Sequence, residues 1–160
     1  MLFEEIKTVL EKEIPGAVTG EDLASSPPAL IIDGSHLKSV CEILHTHDQL
    51  YFDSLSCLTG LDNGEEKNTM EVVYNLYSIP YELHLSLKVI LDRSDPEVDS
   101  VSEIWRTADW HEREAYDLLG IKFKGHPDLR RILLPEDWEG HPLRKDYQEQ
   151  EVYHDVKVKY

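Results

Sequence analysis

Glu82-Leu83-His84-Leu85-Ser86-Leu87-Lys88-Val89-Ile90-Leu91 is apolar at every second residue from Leu83 to Leu91, with Glu82, His84, Ser86 and Lys88 on the other side. A period of two belongs to a strand with one buried and one wet face, the pattern of an antiparallel sheet. His84, on the wet side, is expected to be an ordinary exposed side chain. Tyr51 to Leu61 and Met70 to Ile79 have strand composition as well, joined by a polar loop with Asp62-Asn63-Gly64 as its turn, and Pro80 breaks the second. Short strands are expected near Ala17 to Gly20 and at Ala29 to Ile32, on either side of the turn Ser25-Ser26-Pro27-Pro28.

Two helices precede or interrupt these strands. Leu2, Phe3, Ile6, Val9 and Leu10 fall at helical spacing, stopped by Pro15-Gly16. Asp33-Gly34-Ser35 supplies N-cap chemistry for a helix with Leu37, Val40, Cys41 and Leu44 on one side. Helices before and after a mostly antiparallel sheet predict a two-layer α+β domain over residues 1–108.

The totals exclude several classes. The 160 residues suit one domain, and 41% hydrophobic with 30% charged residues is a soluble globular composition. No run approaches the roughly 18 apolar residues that span a bilayer, and Met1-Leu2-Phe3-Glu4-Glu5 lacks the basic start of a signal peptide. The expected compartment is the cytoplasm. A net charge of −16 argues against nucleic acid and anionic lipid as direct partners. Cys41 and Cys57 are too few for an iron–sulfur cluster, which takes four thiolates, and are expected as buried structural cysteines.

Charge is uneven: residues 1–100 carry 19 acids and 6 bases, residues 101–160 carry 13 and 10. The only concentration of bases, Lys122, Lys124, Arg130, Arg131, Arg144 and Lys145, lies in a 28-residue run from Gly120 to Tyr147 with three prolines and no long period. Loops beyond about 12–15 residues are uncommon in compact domains and are usually functional or disordered. Ile121, Phe123, Leu129, Ile132, Leu133, Leu134, Trp138, Leu143 and Tyr147 make this run too apolar for disorder. Bases among apolar residues favour docking on an acidic partner or on an acidic patch of the same chain. Before it, Asp109 is expected to cap a short helix, with Glu112 completing a capping box and Arg113–Asp117 forming an i,i+4 pair. Gly120 suits the left-handed position that ends such a helix. Residues 109–147 thus read as a helix and extended docking arm, and residues 148–160 as a tail or edge strand.

Catalytic patterns are weak. His111, His126 and His141 recur every fifteen residues, with Glu112, Glu114 and Asp128 nearby, so a stand-alone metalloenzyme is one alternative. The spacing is neither H-E-x-x-H nor built on a short ligand pair. Gly125-His126-Pro127 and Gly140-His141-Pro142 read more simply as turns whose imidazoles bond the local backbone. No G-x-S-x-G, G-x-G-x-x-G or P-loop is present.

The stretch from Glu112-Arg113-Glu114-Ala115-Tyr116-Asp117-Leu118-Leu119-Gly120 through Gly125-His126-Pro127-Asp128-Leu129-Arg130-Arg131-Ile132-Leu133-Leu134-Pro135, then Trp138 and Gly140-His141-Pro142-Leu143-Arg144-Lys145-Asp146-Tyr147, resembles the signature of the respiratory complex I 30-kDa subunit family, the C-type subunits of NADH–quinone oxidoreductase. The resemblance departs at Leu119, where the family often has an aromatic, and at Gln148, where proline is common. It implies a noncatalytic subunit of the peripheral arm with no cofactor of its own, while FMN, iron–sulfur clusters, NADH and quinone belong elsewhere in the complex. It implies the large D-type subunit as partner, with subunits of the B and I types nearby. Membrane association is then through the complex only, peripheral on the cytoplasmic side of the cell membrane. The resemblance makes Glu112, Arg113, Glu114, Asp117, Arg130, Arg131, Arg144, Lys145 and Asp146 partner-facing or arm-ordering charges, and Phe123, Leu133, Leu134 and Trp138 apolar anchors. Related modules occur in membrane-bound hydrogenases and other quinone-linked complexes, the first alternative setting. The chain's end at Tyr160 is expected to make it a form not fused to the D-type partner.

Overall fold

The strand that alternates so regularly takes the middle of the sheet. As β5 (Leu83–Asp92) it pairs antiparallel with all ten residues of β4 (Thr69–Ser78) and parallel with β2 (Ala29–Ile32). β1 (Val18–Asp22) lies outside β2, and β3 (Ser54–Asp62) lies outside β4, so the order is β1-β2-β5-β4-β3. The structure is a computed structural model describing residues 3–158. Leu2, expected in the first helix, and the last two residues of the tail lie outside that range.

One face of this mixed sheet is covered. Met70, Val72, Tyr74 and Leu76 of β4 and Leu85, Leu87 and Val89 of β5 are buried with α1 (Phe3–Glu13) through Ile6 and Leu10, and with α2 (Leu37–Thr46) through Leu37, Val40, Cys41 and Leu44. The other face carries the intervening residues and stays open; His84 is exposed there, its ring 4.4 Å from that of Tyr77. Ser86 breaks the expected alternation. Its hydroxyl donates to Asn75 Oδ1 at 2.6 Å, and it is buried. Cys41 is fully buried, whereas Cys57 is only half-buried, in contact with Thr59.

The expected division at residue 108 falls inside one continuous core. The helix expected from Asp109 starts one residue earlier, as α3 (Ala108–Leu119), and packs on β3. Ala108, Ala115 and Leu119 of α3, with Ile121 and Phe123 beyond it, join the cluster that holds the sheet. The acidic turn and the start of the arm pair as two short parallel strands, β6 (Glu97–Asp99) and β7 (Lys122–Lys124). The tail forms its own small hairpin, β8 (Val152–Tyr153) and β9 (Val156–Lys157), rather than an edge of the main sheet.

Gly60 on β3 shows how closely α3 approaches. A Cβ there would lie 2.6 Å from Leu119 Cδ1 and 2.9 Å from Ile121 Cδ1. Gly60→Ala is therefore expected to destabilise the fold by about 1–3 kcal/mol through overpacking. Thermal unfolding checks this, and an unchanged midpoint would refute the close fit.

A charge-clamped candidate docking face

The helix that opens the signature is not capped as its sequence suggests. Its N-cap is Thr107, whose hydroxyl donates to the Leu55 carbonyl at 3.1 Å and accepts no amide of the helix. Glu112 forms no capping box and no surface. Its side chain is fully buried, where Oε1 accepts the Val101 amide at 2.7 Å and Oε2 accepts the Ser100 hydroxyl at 2.6 Å. Burial pushes the Glu112 carboxyl up to about 7 against those two bonds. Phe123 likewise belongs to this chain's core, at 2% exposure, and is no free anchor. Gly120 ends α3 as expected, with φ +77° and its amide donating to the Tyr116 carbonyl. The same glycine leaves room for His141, whose ring would stand 2.9 Å from an added Cβ.

Asp117 orders the loop beyond the helix. Its carboxylate is fully buried and receives the consecutive amides of Ile132 (3.0 Å), Leu133 (2.7 Å) and Leu134 (2.9 Å), together with Arg131 Nη1 at 2.8 Å. Burial alone would raise its pKa, but these donors outweigh it and hold the carboxyl below its ordinary value. Arg131 is thereby a crosslink: its Nη2 also donates to the carbonyls of Trp138 and Gly140, both at 2.8 Å. The expected Arg113–Asp117 pair does not form, because Arg113 reaches the carbonyls of Arg130 and Arg131.

A second clamp holds the loop's far end. Arg93 bonds Asp62 through Nε (2.7 Å) and Nη2 (3.1 Å), and Nη2 also lies 2.9 Å from Asp146 Oδ1. Asp62 accepts the Lys145 amide at 2.8 Å, and Arg144 donates to the Arg93 carbonyl. Arg93 holds the Asp62 carboxyl well below the usual carboxylate range. The sequence marks Asp62 only as part of a turn and gives Arg93 no role. The available signal was that Arg93 is the only arginine in the first hundred positions.

The basic concentration is thus spent largely within the chain. Lys122 pairs with Asp95, Lys124 with Glu97, Arg130 with Asp128, Arg131 with Asp117 and Arg144 with Asp146. Of the two docking readings, the acidic patch of the same chain accounts for these five. The histidines are spent separately. His126 bonds the Asp109 carbonyl through Nε2 at 3.0 Å and accepts the Asp128 amide at Nδ1, while His141 Nδ1 donates to the Asp117 carbonyl at 2.9 Å. Among the described residues, no three His, Cys, Asp or Glu side chains are placed to hold a metal, so the three-histidine metalloenzyme is not built.

What remains outward is specific. Leu133 is 61% and Leu143 59% exposed although both backbones are fastened, Leu143 by its amide to the Leu118 carbonyl at 2.9 Å. Arg130, Glu114, Lys145 and Asp146 are exposed as well, and Leu134 is half-buried. Trp138 is half-buried against Tyr147 and Tyr153.

A two-layer α+β body carries a long loop ordered by buried carboxylates, with leucines projected from a fixed backbone as a candidate docking surface. The chain belongs to the respiratory-chain NADH dehydrogenase 30 Kd subunit family, whose model matches residues 30–153. It is 42% identical over 154 residues to an NADH-quinone oxidoreductase C subunit of Chlorobium phaeobacteroides, covering 95% of this chain and 92% of that one. The corresponding C subunit of Chloroherpeton thalassium is 51% identical over 124 residues, and there the match spans 77% of this chain and 51% of the relative's length. A solved trypsin-resistant fragment (1-134) of Nqo5 superposes with a TM-score of 0.55 at 31% identity, covering 64% of this chain and 82% of the fragment. A chain of an archaeal membrane-bound sulfane sulfur reductase shares the fold, with a TM-score of 0.73 at 20% identity, over 91% of this chain and 85% of that one.

Proposed function

We propose that this chain is a noncatalytic subunit of the peripheral arm of an NADH–quinone oxidoreductase, docking its clamped loop on the large D-type subunit with B- and I-type subunits nearby. Electron transfer from NADH through FMN and iron–sulfur clusters to quinone then belongs to the rest of the complex. The chain sits on the cytoplasmic side of the membrane through its partners, and none of its described helices is long and apolar enough to cross a bilayer. The observation that carries this reading is Leu133, held at its amide by buried Asp117 yet 61% exposed. A large apolar side chain on a fixed backbone meets a partner without loss of loop entropy. In this reading the docking arm is the segment from Gly125 to Tyr147, with Arg130, Leu133, Leu134, Leu143 and Lys145 facing the partner and Asp117, Arg131 and Asp146 ordering it.

Leu133→Glu is expected to weaken co-purification of the partner subunits by tenfold or more, roughly the effect of losing an interface hot spot. Glu4→Arg on α1 is expected to leave it unchanged. Equal recovery for both variants would count against the docking face. The identity of the co-purified subunits separates this assembly from a related membrane-bound hydrogenase or other quinone-linked complex.

A further inference from the structure

The proposed docking loop ends beside a cleft to which contact through Leu133 gives no role. It lies between the outer edge of β3 and α3, with a volume of about 170 Å³. Ala115, Leu118, Leu119 and Leu143 form its apolar wall, and Glu114 and His111 stand on the same side. The β3 main chain forms the opposite wall. Register pairs Cys57, Thr59 and Leu61 with Asn75, Val73 and Glu71, and the next alternate residue, Asn63, donates its amide to the Thr69 carbonyl. Alternation along an antiparallel strand therefore turns the carbonyls of Leu58 and Gly60, together with their amides, away from β4, toward the cleft.

None of these acceptors has a partner among the described residues. Neither main-chain carbonyl receives a hydrogen bond from outside the sheet, and Glu114 has no cation within ion-pairing distance. His111 Nδ1 is buried and unpaired. Unpaired buried polar atoms are rare in native proteins and call for an explanation. The lining is thus an apolar trough ending in the Glu114 carboxylate and two strand-edge carbonyls with their amides beside them, on a chain carrying 32 acids and 16 bases.

The geometry points to the side chain of an arginine from a partner protein as the occupant. Its alkyl stem would lie along Leu118 and Leu143, and its guanidinium would serve Glu114 and the β3 carbonyls. Arginine has donors only, arranged in a planar fork that reaches several acceptors at once, and its stem packs on apolar surface. Charge complementarity favours a cation on a chain this acidic. This inference rests on the docking reading, because the arginine comes from a subunit that the loop brings close.

Two measurements test it. In the assembled complex, Glu114→Gln is expected to weaken partner affinity roughly tenfold or more, with Glu4→Gln unchanged. On the isolated full chain, N-acetyl-arginine amide is expected to shift the NMR amide signals of Gly60, Glu114 and Leu118, while the uncharged citrulline analogue does not. Wild-type assembly by Glu114→Gln overturns the inference, as do equal shifts from both probes or shifts elsewhere. If Leu133→Glu abolishes assembly and Glu114→Gln does not, the arginine site fails while the docking loop stands.

Discussion

Asp117→Asn is expected to release the segment around Leu133 without unfolding the body. Three consecutive amides and the Arg131 guanidinium converge on this one buried carboxylate. Asparagine keeps the volume but turns an amide group toward donors and leaves Arg131 without its counter-charge. Breaking a buried pair from one side destabilises by about 3–5 kcal/mol. Amide exchange at Ile132, Leu133 and Leu134 should therefore accelerate by on the order of a hundredfold or more, and trypsin should cut after Arg130 and Arg131. Unchanged protection at those amides would show that the loop is held by something else. The sign with pH follows from the depressed carboxyl. A carboxylate with lowered pKa contributes stability above its unfolded value and loses it as pH falls through the folded one. The wild-type loop should accordingly stay fastened in mild acid and open only in strong acid.

Glu112 gives the opposite pH dependence. Its carboxyl is pushed from 4.5 up to about 7 by burial, despite the bonds from Ser100 and Val101. It faces Asp109 on its own helix and His126 across the loop, and the buried Cys41 and Tyr74 feel its charge. An acid with raised pKa contributes stability that is complete below the unfolded value and is lost as pH rises through the folded one. Between pH 4.5 and about 7 the unfolded chain gives up the Glu112 proton while the folded chain keeps it, which should remove up to about 3 kcal/mol of wild-type stability. Glu112→Gln retains an acceptor for the Val101 amide and has no proton to lose. The stability difference between wild type and Glu112→Gln, measured by denaturant unfolding at several pH values, should shift in favour of the variant across that window. A difference independent of pH would mean that the Glu112 carboxyl has the same pKa in the folded and unfolded chain.

Much of the architecture was legible from local pattern. The period of two in β5, the strand composition around it and the helical spacing of Leu37, Val40, Cys41 and Leu44 report which face each element buries, and burial is what selects those patterns. Gly120 was legible for a similar reason, since a left-handed residue ending a helix strongly favours glycine. The family, too, was readable from the residues of the signature stretch.

Partnership between distant residues was not legible. The parallel pairing of β2 with β5, the clamp of Arg93 on Asp62 and the β6–β7 ribbon join segments whose local sequences carry no mark of one another. The signature's charges show this most clearly. Glu112, Arg113 and Asp117 read as a capping box and a helix-surface pair because both motifs require only the right spacing. In the folded chain, Glu112 bonds Ser100 and Val101, Arg113 bonds the carbonyls of residues 130 and 131, and Asp117 gathers residues 131–134. Residue type and spacing were enough to mark this stretch as the signature of the family. Which of its charges hold the loop and which face outward was decided by packing, because a buried carboxylate takes the donors that the fold brings to it.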